Sequence, residues 1–197
     1  MDYTTVEKKE ILEWLKDNLD DERYEHSIGV AECAVKLAEK YNLNQEKAYI
    51  AGLLHDCAKC FSTGKLLRMV CEDVKVEESE KQNVKTLHAP VSAYVAEHDF
   101  GVTDKEILSA IRWHTIGKLK MSNFEKIIFI ADKIEERTRE PEIADPVRKC
   151  LEDENGLNKA LLQCYKQTIK SLVDRNLKIC TLTIDIYNEL EDEVFIK

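Results

Sequence analysis

Apolar residues recur along the chain at intervals of three and four, and polar stretches carrying helix-start signals separate the periodic segments. After Thr4 or Thr5, the residues Val6, Ile11, Trp14, Leu15 and Leu19 fall on one stripe of a first helix. Asp20 or Asp21 caps a second helix that runs to about Tyr41 and carries His26, Val30, Cys33, Leu37 and Tyr41 on one face. Asn44 caps a third, where Ala48, Ala51 and His55 share a face. Ser62 starts a short helix through Cys71, and the charged stretch Glu72 to Gln82, which has no period, is expected to be a loop. Pro90 suits the first position of a helix ending near Phe100, with Gly101 as its stop. Thr103 with Glu106, and Ser122 with Glu125, read as capping boxes ahead of two further apolar stripes, which end at His114 and Asp132. Asp145-Pro146 starts a short helix, Leu157 to about Val173 forms a long one, and Thr183 to Glu193 the last. With no linker composition and no internal repeat, the expectation is one all-α domain over residues 1–197.

Composition narrows the class of partner. The 197 residues include 38 acidic and 29 basic side chains, for a formal charge of −9, which disfavours nucleic acid as a bulk ligand. A small phosphorylated ligand held by a metal remains compatible with that charge. The longest apolar run, Ala48 to Leu54, is far short of the roughly 18–20 residues that span a bilayer, so no membrane partner is expected. Met1 to Glu10 is polar and lacks the apolar stretch of a signal peptide, which places the protein in the cytoplasm. Seven cysteines, widely spaced and odd in number, are expected to be reduced thiols. Cys57-x-x-Cys60 has no second such pair to complete a zinc ribbon.

The chemistry gathers at histidines and aspartates. His55-Asp56 is an adjacent pair near the end of one helix, while His26 and Asp132 lie on or beside the apolar faces of two others. A buried carboxylate without a partner is costly, so Asp56 and Asp132 on inward faces call for a cation. Neutral imidazole nitrogen and carboxylate oxygen suit Fe, Mn, Co or Zn. His98, beside Asp99, stands outside this pattern.

The order His26, His55-Asp56, Asp132 on three helices resembles the HD-domain metal phosphohydrolases. Lys59 extends the pair to His-Asp-x-x-Lys, and His88 and His114 add two histidines before the last aspartate. With Ala131 to Glu135 and Thr183 to Asn188, the chain is similar to one bacterial branch, the YqeK-type symmetrical diadenosine tetraphosphatases. The resemblance runs from about Glu22 to Leu190. It implies an all-α HD-domain helical bundle, with a core at about 22–136 and C-terminal helices at 145–193 packed on it. It also implies one or two transition-metal ions, most often iron, on His26, His55, Asp56 and Asp132. Asp56, Lys59, His88 and His114 would be catalytic, the two histidines as second-ion ligands or as donors to phosphate. The nucleotide would lie against His26, the segment His55, Asp56, Cys57, Ala58, Lys59, Cys60 and Phe61, and His88, His114 and Asp132. Lys178, Ile179, Cys180, Thr181, Leu182 and Thr183 would close over its base, and diadenosine tetraphosphate would be split into two ADP.

The chain departs from that branch at one place. The family usually continues Pro-x-Arg-x-Phe-Pro-Gly after Glu135, whereas here Glu136-Arg137-Thr138-Arg139-Glu140-Pro141-Glu142 follows. Thr138 stands at the arginine position, flanked by Arg137 and Arg139, either of which a one-residue shift would bring to the polyphosphate. Two other functions remain open at this level: a phosphohydrolase of another nucleotide, and a catalytically silent nucleotide-binding regulator. The oligomeric state is also open, a homodimer included.

Overall fold

In the computed structural model, which describes residues 3–195, the chain forms ten α-helices and, among the described residues, no strand. They are α1 (Lys8–Asn18), α2 (Asp21–Lys40), α3 (Gln45–Leu54), α4 (Thr63–Glu72), α5 (His88–His98), α6 (Lys105–Trp113), α7 (Asn123–Ile134), α8 (Pro141–Cys150), α9 (Gly156–Asp174) and α10 (Thr181–Phe195). None is long and apolar enough to cross a membrane. Helix α7 is the hub and packs against α2, α3, α6, α8 and α9. Every residue from Phe124 to Asp132 is therefore buried, and the helix can be surrounded because its polar members find partners. Helices α2 and α3 cross closely at Gly52, where a Cβ would meet the backbone of Ala31 at 2.6 Å. That approach brings His26 on α2 within reach of His55 at the end of α3.

Side-chain caps explain most helix starts. Asp20, Asn44 and Ser62 accept from the backbone N–H three residues on, and Ser122 with Glu125 forms the full capping box. Four expected starts are corrected. Neither Thr4 nor Thr5 caps α1: Glu7 occupies the cap position without a side-chain bond, and Thr5 packs against Gly101, just past the end of α5. Asp104, one residue past Thr103, caps α6 and accepts from the N–H of both Glu106 and Ile107. Helix α5 begins at His88, because Leu87 is already in the right-handed region, and Pro90 sits two residues in, where its missing N–H still costs no helical bond. Helix α8 begins at Pro141, not at Asp145-Pro146, so Pro146 falls inside it and one ladder bond is forgone. The segment 73–87 is largely irregular, with short 3-10 turns at Glu80–Gln82 and Val84–Thr86. Its anchor is the buried carboxylate of Glu80, gripped by Arg112 at 2.6 and 3.0 Å.

Candidate metal centre

Five elements deliver one cluster. His26 projects from α2, His55 ends α3 and Asp56 follows it, His88 opens α5, His114 ends α6, and Asp132 lies near the end of α7. All six are buried. His26 Nε2 and His55 Nε2 lie 3.0 and 3.7 Å from Asp132 Oδ1, and His55 Nε2 is 3.8 Å from Asp56 Oδ2. On the other side of Asp56, Oδ1 is 3.1 Å from His88 Nε2 and 3.2 Å from His114 Nε2. Two groups of metal-ligating atoms result, His26–His55–Asp56 and Asp56–His88–His114, and Asp56 belongs to both.

Hydrogen bonding decides which ring nitrogens face inward. His55, His88 and His114 place Nδ1 at 2.6, 2.5 and 2.7 Å from the carbonyls of Gly52, Lys85 and Ile111. A carbonyl only accepts, so Nδ1 carries the proton and the Nε2 lone pair points into the cluster. Burial holds the His114 pKa down at about 4, which keeps that ring neutral. For His26, burial pulls the pKa down, but Asp132 and Glu135 outweigh it and the net direction is up. Burial works against ionised Asp56 and Asp132, yet the imidazoles around them and, for Asp132, the Lys133 ammonium hold both carboxyls well below the ordinary range.

Inward lone pairs and ionised oxygens repel one another unless a cation joins them. His55 Nε2 and Asp56 Oδ1 are moreover buried side-chain atoms without a hydrogen-bond partner. A divalent transition metal answers both problems, and mixed nitrogen and oxygen donors suit one.

Cations ring the cluster. Lys59 Nζ is 3.1 Å from His88 Nε2 and 3.5 Å from Asp56 Oδ2, and Lys133 Nζ is 2.6 Å from Asp132 Oδ2. Of the two candidate arginines, Arg139 enters the site, with its guanidinium 2.8 Å from Asp132 Oδ1 and 3.1 Å from His26 Nε2. Arg137 does not. Its guanidinium turns to the surface and grips Glu25 and Glu32 on α2 at 2.5 to 3.0 Å. Thr138 donates its hydroxyl to Glu135, beneath His26.

A cavity of about 510 Å³ adjoins the centre, and Thr115 and Lys133 form its near edge. Thr115 Oγ1 lies 3.0 and 3.2 Å from the Nε2 atoms of His114 and His88. Phe129, Tyr165, Thr168 and Leu172 line the cavity, together with Lys178, Cys180 and Thr183. Only Lys178 to Cys180 of the expected closing segment is loop, since Thr181 already begins α10. Ser79, Asn83 and Thr86 line the cavity as well, and the segment 57–61 does not. Cys57 and Ala58 are buried in the core, where they bond Ser92, while Cys60 is exposed and Phe61 is covered by the Lys65 ammonium. Trp113 is a core residue. His98 stacks on Tyr94 at the surface.

Sequence reasoning missed Lys133, Thr115 and Glu135. Glu135 had a detectable signal, because it stands three residues after Asp132 and so shares its side of the helix end.

A family model described as HD domain matches residues 23–137. The chain is 36% identical over 173 residues to a Staphylococcus aureus protein named symmetrical bis(5'-nucleosyl)-tetraphosphatase, covering 88% of this chain and 89% of that one. A Bacillus subtilis protein of the same name is 36% identical over 185 residues, covering 94% and 98%. A crystal structure from Clostridium acetobutylicum, described as a predicted HD superfamily hydrolase involved in NAD metabolism, is 38% identical with a TM-score of 0.88, covering 95% and 98%.

Proposed function

The chain belongs to the HD-domain family, among the symmetrical bis(5'-nucleosyl)-tetraphosphatases, and from that membership we propose that it hydrolyses diadenosine tetraphosphate to two ADP in a metal-dependent reaction. The observation that carries this reading is the position of Asp56 between two sets of inward imidazoles, beside a cavity large enough for a nucleoside. His26, His55, Asp56 and Asp132 would hold a first ion, and Asp56 with His88 and His114 a second. Iron is the metal we favour; manganese, cobalt and zinc fit the same donors. Such an ion supplies Lewis acidity at a phosphoryl oxygen and lowers the pKa of water.

The chain's own residues do the rest. One adenosine enters the cavity between Phe129 and the Lys178–Cys180 wall, which fixes how far its phosphates extend. Lys133 and Thr115 at the near edge take phosphate oxygens, and Arg139 and Lys59 offset the charge that grows on the departing half. Water adds at one central phosphorus, the bridging oxygen leaves with the other, and two ADP result. The reading treats residues 1–197 as one HD domain acting in the cytoplasm on a small nucleotide.

Turnover across a nucleotide panel tests it, with Fe²⁺ or Mn²⁺ added and with diadenosine tetraphosphate, NAD, cyclic nucleotides and deoxynucleoside monophosphates as substrates. Preference for diadenosine tetraphosphate is expected. Faster hydrolysis of another nucleotide would reassign the substrate, and binding without turnover would make the chain a silent regulator.

A further inference from the structure

Four imidazoles meet at the centre, and each has an acceptor for its Nδ1 proton. His55, His88 and His114 find one locally, in carbonyls three residues earlier at places where helix ends or turns leave them available. His26 has no such carbonyl. It is the sixth residue of α2, and in a helix interior the carbonyls three and four residues back belong to the ladder. Its acceptor comes from across the fold: Glu135 Oε1, 3.0 Å from Nδ1 and 109 residues away in sequence.

The surroundings are shaped to this carboxylate. Glu135 is fully buried, and the N–H groups of Arg137 and Thr138 and the Thr138 hydroxyl satisfy its oxygens. The facing helix is cut away to admit it. At Gly29, three residues after His26 on α2, a Cβ would collide with Glu135 Oε2. Glycine is otherwise disfavoured in a helix interior.

We infer that Glu135 is the positioning residue of the metal centre: by accepting from His26 Nδ1–H it fixes that ring's tautomer and direction and makes it a stronger donor than the three carbonyl-bound imidazoles. The inference rests on the metal reading of the same site. A carboxylate behind a ligating imidazole orients the ring and raises its basicity. The departure at Thr138 belongs to the same device, since its hydroxyl and N–H both serve Glu135.

Metal affinity in the full-length protein, without nucleotide, tests the inference. Glu135→Ala is expected to weaken Mn²⁺ binding, measured by competition with a chelating dye, by roughly 10- to 100-fold. Glu135→Gln keeps an acceptor but no charge and falls between that variant and wild type. Gly29→Ala crowds the carboxylate from the other side and weakens binding too. Arg137→Ala releases the same loop from Glu25 and Glu32 without touching the carboxylate, and stays within about twofold of wild type. In proton–nitrogen correlation spectra of the Zn²⁺-loaded protein, the His26 Nδ1 proton is seen in wild type and lost in Glu135→Ala.

Wild-type affinity in Glu135→Ala with the His26 proton retained overturns the inference and leaves the proposed hydrolase untouched. Equal losses in Glu135→Ala and Arg137→Ala also overturn it, by making Glu135 a loop anchor. Weakened metal binding in Glu135→Ala, in a protein whose wild type binds metal but leaves diadenosine tetraphosphate intact, supports the role of Glu135 while rejecting that substrate.

Discussion

Lys133 holds its ammonium 2.6 Å from the carboxylate of Asp132, and the same side chain lines the cavity that reaches Lys178 and Cys180. One cation therefore borders both the donor cluster and the nucleoside-sized space. A phosphate chain running from one to the other would pass it.

Replacing Lys133 with alanine should accordingly lower kcat/KM for diadenosine tetraphosphate by roughly tenfold to a hundredfold, the effect of losing one charge-assisted hydrogen bond. Metal content should be unchanged, because the Lys133 ammonium is not a metal ligand. Steady-state kinetics with parallel metal analysis check both halves.

Asp56 is the one carboxylate common to both groups of ligating atoms. Asp56→Ala should remove bound metal and turnover together while the helical circular dichroism persists, since Asp56 caps no α-helix and its side chain bonds no backbone group. A variant that retains its metal and its rate would end the metal reading.

The two arginines of the 135–139 loop separate cleanly. Arg139→Ala should cost roughly tenfold or more in turnover, as for a group that meets developing charge. Arg137→Ala should change it by less than about twofold, since an exposed ion pair contributes little. Side-by-side rate measurements decide which arginine faces the substrate.

That distinction marks where legibility ends. Helix starts at Asp20, Asn44, Ser62 and Ser122 can be read from the sequence because a cap is a bond between residues three apart. Pro141 and Pro146 both suit a first helical position, and the start expected at Asp145-Pro146 falls inside α8; only packing chooses between them. His26, His55, Asp56 and Asp132 form a recognisable set, and the fold brings them together with His88 and His114. The direction of Arg137 was not readable, because it depends on Glu25 and Glu32, more than a hundred residues away in sequence. The spacing of Glu135 from Asp132 is readable in the sequence, but its bond to His26 is not, because His26 lies on another helix.

The capping box of α7 makes a prediction about acid. Burial raises the Glu125 pKa, but Lys118 at 2.6 Å, Ser109 and the Ser122 N–H outweigh it, and the net direction is below the ordinary 4.5. A group depressed in the folded state stabilises fully above its unfolded pKa, and that stability is lost as pH falls through the folded value. Glu125→Gln should thus melt lower than wild type at neutral pH, with the gap narrowing below about pH 4.5. Thermal melts at several pH values check it.

Product identity bears most directly on the central claim, that the centre and its cavity cut the substrate in the middle. In the proposed pose one adenosine sits beside Phe129 and Lys178–Cys180 and its second phosphate would meet the donor cluster, and holding it there would be a positioning effect. Chromatography of an early time point with diadenosine tetraphosphate and added metal should therefore show ADP as the sole nucleotide product. AMP and ATP in equal amounts would contradict the account, because they would put the attack one phosphate away from the register that the cavity sets.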